Sequence, residues 1–174
     1  MNYFETERLI FRDWKETDLD DFINLNSDED VMRFYPKKLS KQESLEMMIK
    51  INKEFEDYGY GFYALESKEN NDFIGFLGFH KADFDADFTP CIEIGWKLKK
   101  EFWGRGLATE GARKCIEYGL DVLNFNKIYS FTAELNIPSE NVMKKIGMKF
   151  DRYFEHPKVE DHSVLKKHVL YVIS

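Results

Sequence analysis

The stretch Trp103-Gly104-Arg105-Gly106-Leu107-Ala108-Thr109 constrains this chain more than any other. It joins a short apolar strand around Cys91-Ile92-Glu93-Ile94-Gly95-Trp96 to an amphipathic helix running from about Leu107 to Leu120. Two glycines at a strand-to-helix turn let the backbone pass close to a ligand, with several N–H groups pointing into one concavity. The helix N-terminus adds roughly half a positive charge. Such a turn is an anion site, most naturally for phosphate. A tight turn without a ligand is the plain alternative, since a lone Gly-x-Gly is common. Lys127 to Glu134 then alternates as a strand, so strand, crossover helix and strand imply a parallel pair inside an otherwise antiparallel sheet.

The remaining elements follow from periodicity and caps. Glu7–Arg12 reads as a first strand. Thr17-x-x-Asp20 resembles an N-cap, with Leu19, Phe22 and Ile23 at helical spacing behind it. Ser40-x-x-Glu43 is a capping box ahead of Leu45, Met48, Ile49 and Phe55, in a helix ending near Tyr58-Gly59. Gly61–Glu66 and Phe73–His80 form a hairpin across a polar turn. Gly111 and Gly119 weaken the third helix by roughly 1 kcal/mol each relative to Ala, which points to close packing on the sheet. Asn136-Ile137-Pro138-Ser139 opens a last helix closed by Gly147, and strands near Lys149–Glu155 and His168–Ile173 follow. The expected fold class is mixed α+β, in the order β-α-α-β-β-β-α-β-α-β-β, in a single domain over residues 1–174.

Composition narrows the function. With 25 basic and 32 acidic residues the net charge is −7, which argues against a nucleic-acid partner and suits a cationic one. Two cysteines, Cys91 and Cys115, make no disulfide framework and fit small buried residues in a reducing compartment. No apolar run reaches membrane-spanning length, so the expectation is a soluble cytoplasmic protein with no membrane partner. Against this acidic background Lys97, Lys99, Lys100 and Arg105 crowd around the glycine turn, with only Glu101 opposing them. Such a basic rim suits a polyanionic cofactor. The turn lacks the Gly-Lys-Ser/Thr of a P-loop, which argues against nucleotide hydrolysis.

These residues, in this order, resemble the GNAT superfamily of acetyl-CoA-dependent N-acetyltransferases, and most of all its ribosomal-protein-alanine acetyltransferase-like (RimJ/RimL-type) branch. The matching stretches span nearly the whole chain. They include Glu5-Thr6-Glu7-Arg8-Leu9 and Asp18, Ile74–Phe79, Glu93-Ile94-Gly95-Trp96 and Trp103–Glu110. Asn136-Ile137-Pro138-Ser139-Glu140-Asn141-Val142-Met143, Ile146-Gly147-Met148 and His168-Val169-Leu170-Tyr171 complete the set. The resemblance implies that the Lys99–Leu107 turn, with Gly104, Arg105 and Gly106, cradles the CoA pyrophosphate through backbone N–H groups. Leu107, Ala108 and Thr109 at the helix start belong to the same cradle. It also implies that the Cys91–Leu98 strand, through Trp96 and Leu98, pairs with the pantetheine arm, and that Asn136, Ser139 and Asn141 adjoin it. Where the family usually has Gln or Arg, this chain has Glu101, which puts a side-chain role there in doubt.

Acyl transfer to an amine needs a proton acceptor and help for the departing thiolate. Glu93 sits among Ile92, Ile94 and Trp96, where desolvation raises a carboxyl pKa. It is the candidate base; a solvated or ion-paired strand residue is the alternative. For the acid, the tyrosine common in the superfamily is replaced by Met143. Ser139 is the substitute that the branch implies, with helix capping as its other reading. Tyr171 is a second candidate and otherwise a core strand residue. His156, His162 and His168 recur every six residues but match no zinc signature, so no metal is expected. Phe34 and Tyr35 fit an acceptor wall, and Asp28, Glu29 and Asp30 either attract a cationic amine or face solvent.

The expectation is therefore an enzyme that moves an acetyl group from acetyl-CoA to a primary amine, of a peptide or a small molecule, with a homodimer as one assembly open to it. Two alternatives remain: a non-catalytic acyl-CoA sensor, and a nucleotide-binding or structural domain with an incidental turn.

Overall fold

Local signals set most of the elements in the computed structural model, which describes residues 1–174. The capping box forms as expected: Ser40 Oγ accepts from the Glu43 N–H at 3.1 Å, and the Glu43 carboxylate accepts from the Ser40 N–H at 2.8 Å. Behind it helix α2 runs Lys41–Tyr58 and stops at Gly59. The Thr17-x-x-Asp20 cap does not form. Helix α1 (Leu19–Ser27) instead follows a 3-10 turn over Glu16–Asp18. Asp18 is occupied elsewhere, accepting from the Lys15 N–H at 2.8 Å and from Arg12 at 2.7 and 2.9 Å. Arg12 also donates to Glu66 at 2.6 Å, so one buried guanidinium joins two carboxylates.

The strands are β1 (Asn2–Glu5), β2 (Leu9–Arg12), β3 (Phe62–Ser67), β4 (Phe73–Ala82), β5 (Cys91–Leu98), β6 (Ile128–Ala133), β7 (Lys149–Glu155) and β8 (Lys167–Ile173). Helices α3 (Leu107–Asp121) and α4 (Ile137–Lys145) follow β5 and β6. One eight-stranded sheet has the order β1-β2-β3-β4-β5-β6-β8-β7. Only β5 and β6 are parallel, as the crossover through α3 requires. The mixed α+β expectation holds, with one correction: β1 was not foreseen, and the strand expected from Glu7 begins at Leu9. A register shift between Asn2 and Phe4 hides β1, because Tyr3 and Phe4 both pack against the main core and no alternation shows. No helix is long and apolar enough to cross a membrane.

Strand alternation sorts the core into two layers. Leu9, Phe11, Tyr63, Leu77, Phe79 and Ile94 face α3. Ala64 and Phe76 face α1 and α2, where Phe22, Met48 and Ile51 meet them. Gly119 has the packing role expected of it: a Cβ there would lie 2.6 Å from the Phe79 ring and 3.0 Å from Ile128. Cys91 and Cys115 are buried and free.

Candidate active site

β5 and β6 share a single register pair, Glu93 with Tyr129, and then separate. On the β4 side the ladder continues to Lys99, whose N–H donates to Ile74 O at 2.9 Å. By alternation the peptide groups of Ile94, Trp96 and Leu98 point into the gap. Ser130 Oγ donates to Ile94 O at 3.0 Å, and the Trp103 indole donates to Leu98 O at 2.9 Å. The Trp96 peptide group between them faces the gap.

A cleft of about 490 Å³ opens there. Gly104, Gly106, Leu107, Ala108 and Thr109 line one end. β5 supplies Trp96 and Leu98; the start of α4 supplies Asn136, Ser139 and Asn141. Phe34 and Tyr35 form the opposite wall, as expected. Gly104 and Gly106 adopt φ of +70° and +75°, a conformation that L side chains rarely take. A Cβ on Gly104 would meet nothing within 4 Å. The turn is thus an open cradle at the N-terminus of a fifteen-residue helix, and it fits a phosphate group.

Three features depart from expectation. Lys99 and Arg105 do not line the cleft: Lys99 pairs with Asp21 at 2.8 Å and Arg105 with Glu69 at 3.0 Å. The basic rim is largely neutralised, since Lys100 pairs with Asp30 and Lys97 is buried. Positive charge without a carboxylate partner lies instead at Arg113 and Lys145, beside the first turns of α3. Tyr171 is also outside the cleft; its hydroxyl donates to Glu140 at 2.7 Å, and burial together with that bond pushes its pKa up to about 12. Of the acidic trio, Asp28 accepts from the Asp30 and Val31 N–H groups, and Glu29 pairs with Lys38.

Ser139 and Asn136 divide the work at the start of α4. The Asn136 side chain caps the helix, accepting from the Ser139 N–H at 3.3 Å, and donates to Thr132 Oγ1 at 2.9 Å. The Ser139 hydroxyl is left out of the cap and lines the cleft.

Glu93 lies on the other face of β5, with Gly95 and Lys97, toward α1 and α2. Its carboxyl is pushed up to about 7 by burial, opposed by the nearby His80 and assisted by Glu54. Such a group accepts a proton near neutrality. Burial and the Glu93 charge together push the Tyr35 hydroxyl up to about 12. Glu93 does not line the cleft itself; Tyr35 links the two. Sequence reasoning missed Glu54 and His80, which meet across different elements with His80 Nδ1 2.5 Å from Glu54 Oε1. His156 and His168 pack ring to ring at 5.0 Å, with His156 also against Phe84.

Comparison with known proteins gives the family. A model described as "Acetyltransferase (GNAT) domain" matches residues 8–149. "Uncharacterized N-acetyltransferase YnaD" of Bacillus subtilis is 29% identical over 153 residues, 88% of this chain and 86% of that protein. A solved GNAT-family acetyltransferase from Bacillus anthracis superposes with a TM-score of 0.78 at 26% identity, covering 97% of this chain and 96% of that one. The spermidine N-acetyltransferase of Vibrio cholerae, solved with CoA and spermine, shares the fold at a TM-score of 0.76 and 19% identity, over 97% and 96% of the two chains. The cradle, the splayed strand pair and these relatives together make the chain a member of the GNAT family of N-acetyltransferases.

Proposed function

We propose that this protein transfers the acetyl group of acetyl-CoA directly to a primary amine, of a protein N-terminus or a small molecule, in one ternary complex. The open Gly104–Gly106 cradle, continuous with a cleft along the unpaired edge of β5, carries this reading. A protein of the same fold holds CoA and spermine, which supports both halves of it. The ribosomal-protein-alanine branch, which the sequence motifs resemble, is the N-terminal version of that acceptor. The buried free cysteines fit a reducing cytoplasm.

Acetyl-CoA supplies an activated acetyl thioester. Backbone N–H groups of the glycine turn and the start of α3 hold its phosphates. Asn141 and the Trp96 peptide group face the arm, and strand N–H groups polarise the carbonyl. The amine loses its proton to Glu93 or to a water that Glu93 orients. Ser139, its hydroxyl free of the helix cap, assists the departing thiolate.

Incubation with acetyl-CoA and pooled amines and peptides, read by mass, is expected to show a gain of one acetyl group on a primary amine. Acetyl-CoA is also expected to raise thermal stability; a rise with ATP and none with CoA would refute the reading. Glu93→Gln should lower turnover by about a hundredfold or more. Full activity of that variant across the pH range, with the fold intact, would remove Glu93 as the base.

A further inference from the structure

Behind Glu93 lies a histidine–carboxylate pair with no part in the reading above. His80 on β4 is the direct cross-strand partner of Glu93 on β5. Side chains so opposed stand on one face with their Cβ atoms about 5 Å apart. That face is fixed by packing. The His80 ring stacks on Phe62 at 5.9 Å with an interplanar angle of 17°, and a Cβ on Gly95 would lie 3.2 Å from Phe62 and 3.8 Å from Glu93 Oε1. From the opposite layer, α2 delivers Glu54, whose Oε1 lies 2.5 Å from His80 Nδ1. The other Glu54 oxygen, Oε2, is buried without a partner. A stacked ring held by a carboxylate on one side, with a second carboxyl across the strand pair, is confined to one orientation.

We propose that His80, clamped by Glu54, is a positioning residue for Glu93: it stands directly across the strand pair and, when protonated, favours the carboxylate that receives the proton of the incoming amine. The inference rests on the assignment of Glu93 as the base. Glu54 is the sequence-distant part of the device: burial lowers the imidazole pKa, and the bond to Glu54 raises it. The groups around His80 are Glu54 from α2, Glu93 from β5 and Asp83 from the loop after β4. Around Glu93 they are His80, Glu54, Tyr35 from the segment after α1, Cys91 on β5 and Tyr129 in register on β6. Among these, His80 supplies the cation.

The test is a pH titration of the intact protein by carbon NMR of glutamate carboxyls and histidine rings, with the Glu93 and His80 signals assigned by their loss in Glu93→Gln and His80→Gln. In His80→Gln the Glu93 midpoint should rise by about one pH unit. In Glu54→Gln, which keeps the stacked ring and so guards against misfolding of the first variant, the His80 imidazole midpoint should fall. An unchanged or lowered Glu93 midpoint in a folded His80→Gln protein overturns the proposal, as does an unchanged His80 midpoint in Glu54→Gln. Because the titration needs no acceptor, its failure with an inactive Glu93→Gln removes only the coupling. An active Glu93→Gln removes the base assignment and this inference with it.

Discussion

Lys97 offers the sharpest physical test of the fold around the site. It is 6% exposed, and no carboxylate pairs with it. Its ammonium sits 3.1 Å from Asn26 Oδ1, 3.3 Å from Met32 Sδ and 4.2 Å from the centroid of the Tyr35 ring. An amide oxygen, a thioether and an aromatic face compensate poorly for lost hydration, so burial pushes the group down to about 7 from 10.5. Below pH 7 the lysine is charged in both folded and unfolded chains, and the folded state bears the full penalty. Above pH 7 the folded chain releases the proton while the unfolded chain keeps it until about 10.5. Stability therefore rises with pH through that window.

Integrated from pH 7 to pH 9, the gain is about 2 kcal/mol. The assay is urea unfolding of the wild type and Lys97→Met at both pH values. Comparing the two proteins cancels every other titrating group. Cys91, at about 12 in the fold because of burial and at 9.0 in the unfolded chain, contributes alike to both proteins. At a single pH the sign is not diagnostic, because Met removes a buried charge but also leaves Asn26 Oδ1 without its donor. The wild type should gain about 2 kcal/mol on the variant between pH 7 and pH 9. A difference that stays flat would show that Lys97 is solvated or paired, and the reasoning would fail.

Other expectations follow from the same geometry. Arg12→Met leaves buried Asp18 with only the Lys15 N–H and Glu66 with only the Lys15 ammonium, and should cost about 3 kcal/mol in denaturant unfolding. Ser139→Ala should leave stability within about 0.5 kcal/mol while turnover falls, because its hydroxyl is not the cap; Asn136→Ala should cost about 1 kcal/mol. His156, pushed down to about 4 by burial and then by His168, stays neutral in the fold while the unfolded chain protonates at 6.5. Its contribution is present above pH 6.5 and fades as pH falls toward 4, so wild type should lose about 2 kcal/mol relative to His156→Phe between pH 6.5 and 4.5 in urea titrations.

Much of the fold was legible because its signals are local. The Ser40–Glu43 box, the Gly104–Gly106 turn and the Asn136-Ile137-Pro138 start each act within four residues, and each sits where the sequence put it. What escaped depends on partners far along the chain. Counting charges made Lys97, Lys99, Lys100 and Arg105 a basic rim; Asp21, Asp30 and Glu69, from three other segments, neutralise three of them. Nothing in the sequence shows that Glu54 and His80, 26 positions apart on a helix and a strand, meet at 2.5 Å. The Thr17-x-x-Asp20 cap failed because the chain turns there through a 3-10 helix, and α1 begins at Leu19 without a side-chain cap.

The alternation of β5 connects the legible half to the hidden half. Even positions turn their peptide groups to the gap and their side chains to the α3 layer; odd positions turn Glu93, Gly95 and Lys97 toward α1 and α2. One strand thus offers unpaired backbone to the cleft on its edge and carries its ionisable side chains on one face. The glycine turn fixes the edge, and so was readable from the motif alone. The face is decided by what α2 and β4 bring to it, and there Glu54 and His80, rather than any residue of the motif, surround Glu93.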